Sequence, residues 1–319
     1  MKVIFNTEQH YNTNINDKIA VALGFFDGIH KGHRQLIKAL VDIKNEKKCS
    51  TMVYTFNEHP MTVISPKNVP LLITDNQQKI EIMKEFDIDY LVFNKFTPAF
   101  ANILPEDFVC RHLLNRYSID TIVVGYNFKF GKGGSGDINT LKQLEKKKNF
   151  NVKVIPPIKL DGKIVSSSTI RTFIKQGKMN QAANFLGYPY RLKGKIIKGK
   201  ARGRKLGFPT ANIEYNTLKV IPKKGVYLTL TFTDKKFIWS LTNIGSSPTF
   251  EKDNNIRIET HLLGFSGNLY NQEVELYFFE RIRDEKKFKS SEELIGQLNK
   301  DLETAAQCIY KIIQMCYNT

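Results

Sequence analysis

Cysteine is scarce in this sequence. The four thiols, Cys49, Cys110, Cys308 and Cys316, form no C-x-x-C pair and lie far from any histidine cluster. That pattern speaks against a disulfide framework and a zinc site, and leaves free thiols in a reducing compartment as the expected state. Long apolar runs are also missing. The short patch Val3, Ile4, Phe5 gives way to polar residues, so neither a signal peptide nor a membrane span is read. Acidic residues are few beside basic ones: 31 Asp and Glu against 48 Lys and Arg, a formal net charge of +17. Anionic partners follow, and phosphate-bearing small molecules, nucleic acid or acidic membrane would each satisfy that charge. The excess is mostly lysine, which weakens a sequence-reading role on nucleic acid, because arginine supplies the bidentate forks. With 319 residues, 41% hydrophobic and 25% charged, the chain excludes disorder throughout and has room for two ordinary domains. A soluble, cytoplasmic protein is expected.

The first half alternates strand and helix. β-rich apolar runs occur at Ile19–Leu23, Thr51–Phe56, Tyr90–Phe93, Ile119–Val124 and Val152–Ile155. Between them Leu36, Ile37, Leu40 and Val41 share one helical face, and Ile80, Met83 and Phe86 another. A third helix opens at Pro105 with Glu106 and Asp107 in its first turn. This order predicts an α/β domain with a parallel sheet covered on both faces, which binds ligands at the carboxyl ends of its strands. Short helical pieces at Thr169–Gln176 and Gln181–Leu186 follow. Beyond Tyr190 the period becomes two, as in Val226, Leu228, Leu230 and Phe232 against Tyr227, Thr229 and Thr231. That pattern predicts an antiparallel β-barrel. A C-terminal helix closes the chain, with Ser290 and Glu293 as a capping box and Leu294, Leu298, Leu302, Ala305, Ile309 and Ile312 as its apolar stripe. The expected domains are 1–187 and 188–319.

Two segments concentrate the chemistry. In Gly24-Phe25-Phe26-Asp27-Gly28-Ile29-His30-Lys31-Gly32-His33 a glycine-lined turn runs from a buried strand into a helix. Such a turn bares amide N–H groups beside a helix N-terminus, which suits phosphate. Gly24, Asp27, Gly28 and Gly32 are the phosphate-binding candidates, with His30 and His33 as catalytic donors. Asn127, after the fourth of those strands, and Ser167, Ser168 and Arg171, at a helix start, belong to the same sheet edge. The second segment runs from Gly194 to Asn212, with glycines at 194, 199, 203 and 207 and five Lys or Arg between Lys195 and Arg204. An RNA-binding patch is the reading from charge alone, but no aromatic residues interleave for base stacking. Thr210 and Asn212, one residue apart on an extended segment, offer two neutral oxygens to Mg²⁺. Glu259 lies on an alternating strand; on the inward face of a barrel it could take a hydroxyl proton, and the plainer alternative is a solvent-facing glutamate.

H-x-G-H at residues 30–33 resembles the nucleotidyltransferase superfamily. Together with G-R-x-L-G-F-P-T-A-N ending at Asn212, Asn243 to Thr249, Glu259-Thr260-His261 and Ile282 to Phe288, it makes nearly the whole chain resemble the prokaryotic bifunctional riboflavin kinase/FAD synthetase family. The resemblance implies a Rossmann-like FMN adenylyltransferase domain followed by a β-barrel riboflavin kinase domain. It implies ATP as co-substrate, Mg²⁺ as cofactor, and riboflavin and FMN as further partners, with no nucleic acid or membrane; oligomeric state stays open. By the same resemblance Gly194, Gly199, Arg204 and Gly207 enclose ATP phosphates, Thr210 and Asn212 hold the metal, and Glu259 is the base. Asn127 and Arg283 face flavin. The chain departs from the family pattern at Glu58, at Thr169 where an arginine is usual, and across Gly133–Ser135. These departures motivate an alternative in which the kinase works and the adenylyltransferase half is weak. A basic nucleic-acid-binding protein is the more distant alternative.

Overall fold

The computed structural model describes residues 1–6, 15, 17–198, 207–246 and 256–317. The chain divides into two compact units, Met1–Ser167 and Ser168–Thr319.

The first unit is built on a six-stranded, wholly parallel sheet in the order β1-β4-β3-β2-β5-β6. Its strands are β1 (Lys2–Asn6), β2 (Ile19–Leu23), β3 (Ser50–Phe56), β4 (Tyr90–Asn94), β5 (Ile119–Gly125) and β6 (Asn151–Ile155). Every residue of β2 is buried, as a strand covered on both faces must be. The order reverses at β2, with β3 on one side and β5 on the other, so the crevice at their carboxyl ends is the natural ligand site.

Two features depart from the expectation. Lys2–Asn6 is an edge strand, paired in parallel from Lys2↔Tyr90 to Asn6↔Asn94. Its exposed Phe5 stacks on Phe93 with ring centroids 4.8 Å apart. The helix Asn76–Met83 buries Gln78, Lys79, Ile82 and Met83; of the expected face Met83 is buried, while Ile80 and Phe86 are half-buried. Two polar side chains occupy the inner face because each finds a partner there: Gln78 closes a capping box with Asp75, and Lys79 Nζ donates to the carbonyl of Phe25 at 2.9 Å. The first helix, Lys31–Lys47, buries Leu36, Ile37 and Leu40 as expected, with Ile43 enclosed and Val41 only half-buried. A helix does start at Pro105, and from Phe108 to Leu114 it widens to π geometry. A small hairpin, β7 (Lys159–Leu160) and β8 (Lys163–Ile164), also belongs to this unit.

In the second unit, a helix at Ser167–Gln176 that begins at the division between the units and another at Met179–Leu186 lead into a closed barrel. Its order is β10-β13-β12-β11-β14-β9 and all its pairings are antiparallel. The strands are β9 (Tyr190–Ile197), β10 (Ala211–Tyr215), β11 (Gly225–Thr233), β12 (Lys236–Ser246), β13 (Ile256–Leu262) and β14 (Glu273–Arg283). The buried centre carries a hydroxyl chain. Thr231 meets Ser240 at 2.6 Å, Ser240 meets Thr229 at 2.8 Å, Thr229 meets Thr242 at 2.7 Å, and Thr242 meets Thr260 at 2.9 Å. A hydroxyl both donates and accepts, so the chain satisfies itself without water.

The opposite face of β11 and β12 holds Val226, Leu228 and Leu241, against which the helix Ser291–Tyr317 lays Ala305, Leu302, Ile309 and Ile312. Its cap differs in detail from the expected box: Ser290 Oγ accepts from Glu293 N, while the Glu293 carboxylate accepts from Lys289 N rather than from residue 290.

Candidate active sites

In the first unit the turn after β2 is held by its buried side chains. Phe26 and Ile29 have positive φ, 54° and 35°, which costs a non-glycine residue energy, and both side chains are fully enclosed. The sequence groups Asp27 with phosphate-facing residues, yet its carboxylate is buried and accepts from the N–H groups of Ile73 and Thr74, each at 2.9 Å. The Thr74 hydroxyl accepts from Gly28 N at 2.9 Å, and Ser167 Oγ donates to the carbonyl of Asp27 at 2.9 Å. An anion so engaged fixes the turn rather than receiving another anion.

The two histidines meet at the start of the helix Lys31–Lys47. His30 is its N-cap, and Nδ1 accepts from His33 N at 3.3 Å, which puts the proton of a neutral His30 on Nε2. Gly32 leaves room for that ring, since a Cβ there would lie 3.1 Å from His30 Cε1. Burial, then the charges of His30 and Lys79, hold the His33 imidazole well below the usual histidine range. His33 Nδ1 is buried and has no hydrogen-bond partner among the described residues.

Beside this turn lies a cavity of about 410 Å³ lined by Gly24, Phe25, Tyr54, Phe56, Phe96, Phe100, Phe108, Asn127, Phe128 and Phe130. Its rings pack edge to face, Phe56 against Phe96 at 5.1 Å and against Phe100 at 5.5 Å. Such walls suit a flat aromatic ligand. Asn127 is exposed at the rim. Gly131 closes the cavity against Pro105: its φ is 71° and a Cβ would come within 2.7 Å of the proline ring. Of the departures from the family pattern, Glu58 is exposed and not among the lining residues, whereas Gly134 lines the cavity. Sequence reasoning missed these aromatics because they come from five separate segments, and it missed Lys79 because a lysine on a short helix reads as solvated.

The second unit contains another concave site, of about 330 Å³, lined by Thr210, Asn212, Asn243, Arg257, Glu259 and Arg283 together with Leu294, Leu298 and Asp301 of the C-terminal helix. Glu259 is on the strand face opposite to buried Ile258 and Thr260, so it faces out of the barrel into this cavity and not inward. Asn212 stands directly across from it on β10, and Asn243 directly across on β12. Arg257 Nε donates to Asn212 Oδ1 at 2.8 Å, and its Nη2 lies 3.1 Å from Glu259 Oε1. Arg283 is bound bidentately to buried Asp301, at 2.8 Å from Nε and 2.8 Å from Nη2. A wider hollow of about 620 Å³, lined by Ile196, Pro209, Ala211 and the segment 265–270, also has Thr210 in its wall. Thr210 therefore borders both.

Gly194 has a packing reason of its own, because a Cβ would press on Ile213 and on the carbonyl of Glu214 in the neighbouring strand. Gly207 has a φ of 81° in an exposed turn. Gly199 and Arg204 lie outside the described residues. Ser168 is exposed and Arg171 half-buried on the helix Ser167–Gln176. Among the described residues no group of three or more His, Cys, Asp or Glu could hold a metal alone. Thr210, Asn212 and the one carboxylate of Glu259 fit a hard cation that takes its remaining ligands from phosphate and water.

Residues 12–169 match the FAD synthetase family and residues 186–309 the riboflavin kinase family. A bifunctional riboflavin kinase/FMN adenylyltransferase of Buchnera aphidicola subsp. Schizaphis graminum is 35% identical over 92% of this chain and 95% of its own. Proteins of the same name from Listeria monocytogenes and Bacillus subtilis are 36% and 33% identical, over 91% and 96% of this chain and 91% and 97% of theirs. A crystal structure described as a macrolide-efflux protein from Streptococcus pneumoniae superposes with a TM-score of 0.87 at 28% identity, covering 95% of this chain and 98% of that one. Among the described residues of this chain no helix is long and apolar enough to cross a membrane. With both family matches in order along one chain, and relatives above 30% identity covering nearly all of it, this protein belongs to the bifunctional riboflavin kinase/FMN adenylyltransferase family.

Proposed function

We propose that the chain converts riboflavin to FMN in its second unit and FMN to FAD in its first, using ATP in both steps. The observation that carries this reading is the pair of cavities, one aromatic and beside the His30–His33 turn, the other holding Glu259 across from Asn212.

In the kinase step Glu259 takes the proton of the ribityl 5′-hydroxyl, the oxygen attacks the γ-phosphorus of ATP, and ADP leaves. Flavin lies in the cavity walled by the C-terminal helix, and the nucleotide enters from the hollow on the other side of Thr210. Mg²⁺ would be held by Thr210 and Asn212 and neutralises phosphate charge when bound. Gly207 is a candidate for enclosing the phosphates, and so are Gly199 and Arg204, which lie outside the described residues, whereas Gly194 sits within β9 and serves the packing of β10. Arg283 shapes the flavin end of the cavity through its pairing with Asp301.

In the adenylyltransferase step a phosphate oxygen of FMN attacks the α-phosphorus of ATP and pyrophosphate leaves. The flavin ring occupies the aromatic cavity with Asn127 at its edge. Gly32, in the first turn of the helix, is the backbone candidate for phosphate, while Gly24 N and Gly28 N are bound to Tyr54 O and Thr74 Oγ1 and keep the shape of the turn. His30 and His33 stabilise charge on the triphosphate as hydrogen-bond donors. Asp27 serves by fixing the turn. Ser167 tethers that turn, and Ser168 and Arg171 on the following helix are further phosphate-binding candidates. The catalytic domains are 1–187 and 188–319, and the protein works in the cytoplasm.

A chromatographic time course tests the reading. Started from riboflavin, ATP and Mg²⁺, it should show FMN rising and then FAD; started from FMN, it should show FAD directly. FMN accumulating with no FAD in either run would leave a kinase alone, and neither product would refute both assignments.

A further inference from the structure

Arg257 occupies the space between the two side chains on which the second cavity's chemistry turns. The register puts it there. Asn212 and Glu259 face each other across β10 and β13, and Arg257, two residues before Glu259, shares its strand face. Nε donates to Asn212 Oδ1 at 2.8 Å while Nη2 reaches Glu259 Oε1 at 3.1 Å. The other cations lining this cavity are engaged elsewhere, Arg283 by Asp301 and Lys286 by Glu293. On the far side of β13, Arg257 faces Gly245 of β12, and the space a side chain there would take is filled by the Glu285 carboxylate, which accepts from Ser246 N.

We propose that Arg257 is the resident cation of the kinase site, a positioning residue that orders Asn212 and Glu259 before nucleotide arrives and yields ground to the metal when it does. The inference rests on reading this cavity as the riboflavin kinase site. A guanidinium is a planar fork that fixes two acceptors at once, which an ammonium on a flexible stem does less well. It keeps the Glu259 carboxylate aimed and stops the amide of Asn212 from turning its N–H₂ toward the metal position. The same contact sets up a competition. A divalent cation ligated by Asn212 Oδ1 would share that oxygen with Arg257 and sit within a few ångströms of a like charge. Arg257 thus improves the order of the site while raising the metal concentration needed to fill it. A merely structural arginine would have neither signature: its loss would weaken ligand binding and turnover together.

The test uses the full chain and the variants Arg257→Met and Arg257→Lys. Riboflavin fluorescence is followed while Mg²⁺ is titrated into protein, riboflavin and ADP, a dead-end mixture with no phosphoryl to transfer. In Arg257→Met the Mg²⁺ midpoint should fall by about three- to tenfold, because a repelling charge has gone. In Arg257→Lys it should stay within about twofold of the wild type. The kcat for riboflavin phosphorylation should drop by about tenfold or more in Arg257→Met, as expected when a general base loses its alignment, and recover in part with lysine. FAD formation from FMN should be unchanged in both, since it belongs to the first unit, and a melting transition of the second unit close to the wild type's certifies the fold around Arg257. An Mg²⁺ midpoint in Arg257→Met equal to or above the wild-type value overturns the proposal. A wild-type chain that makes FAD from FMN but never FMN from riboflavin refutes the kinase reading instead, and takes this inference with it.

Discussion

The imidazoles of His30 and His33 stack with ring centroids 3.7 Å apart and only 15° between their planes. Two imidazolium ions in that arrangement would repel strongly, and His33 is the ring that gives way. Its buried position resists the charged form, and His30 and Lys79 add to that resistance. A neutral His33 carries one N–H, so in the proposed adenylyltransferase step it would act near pH 7 as a hydrogen-bond donor rather than an acid.

This arrangement makes the first unit sensitive to acid. Unfolded, His33 binds a proton with an ordinary pKa of about 6.5; folded, it does so only at lower pH. The unfolded chain therefore holds more protons between those values, and stability falls as pH drops below about 6.5, by at most about 1.4 kcal/mol per pH unit for this one group. Urea titrations of wild type and His33→Gln over about pH 7.5 to 5.5 should show a shallower decline in the variant. Parallel declines would mean that His33 is charged in the fold.

Lys79 is a cation with about 1% of its surface exposed, its Nζ bound to the carbonyl of Phe25 and 3.8 Å from the centre of that residue's ring. Phe25 in turn meets His59 edge-on at 4.5 Å and lines the aromatic cavity. In Lys79→Met the positive charge beside His33 is lost, so the His33 pKa should rise, read from its imidazole carbon-bound proton by NMR. FAD formation from FMN should slow by about tenfold, less than the roughly 10²- to 10³-fold for losing a donor that touches the reacting atoms, while riboflavin phosphorylation stays as it was. An unmoved His33 titration would show that Lys79 serves Phe25 alone.

Much of this was legible in the sequence where a short segment carries its own signal. The strands β2 to β6 are apolar runs bounded by turns, and the Gly24–His33 turn declares itself by three glycines and two histidines in ten residues. Signals spread over distant segments were not legible. The aromatic cavity gathers rings from β3, from the turns after β4 and β5 and from the π-helical segment, and no window of sequence contains them together. Facing was the other weak point. Period two tells that Glu259 opposes Ile258 and Thr260, but in a barrel whose interior is a chain of threonine and serine hydroxyls polarity does not say which face is inside. Lys79 illustrates the same limit: it is polar and buried because the carbonyl of Phe25 accepts from it, just as Asn212 is buried where its Oδ1 accepts from Arg257 Nε.

Glu259 gives the cleanest separation of the two activities. Glutamine keeps its shape and can still accept a hydrogen bond from Arg257, but it cannot take a proton. Glu259→Gln should lower the kcat for riboflavin phosphorylation by about 10²- to 10⁴-fold and leave FAD formation from FMN at its wild-type rate. His30→Ala should do the reverse. A Glu259→Gln enzyme that still phosphorylates riboflavin at a similar rate would place the base elsewhere.

The pairing of Arg283 with Asp301 ties the last barrel strand to the C-terminal helix, and it does so at the wall of the second unit's cavity. Asp301 is almost wholly enclosed, with Gln297 donating to the same carboxylate at 3.0 Å. Removing the arginine alone leaves a buried charge without its partner, which typically costs about 3–5 kcal/mol, whereas replacing both members by apolar side chains of similar size is often neutral. Arg283→Met should therefore lower the melting temperature of the second unit sharply, and Arg283→Met/Asp301→Leu should restore most of it. Recovery of the fold need not bring recovery of the ligand site. If Arg283 shapes the flavin end of the cavity, the double variant melts near the wild type and still shows a raised KM for riboflavin, at an unchanged KM for ATP. A double variant with wild-type KM values would confine the pair to holding the helix in place.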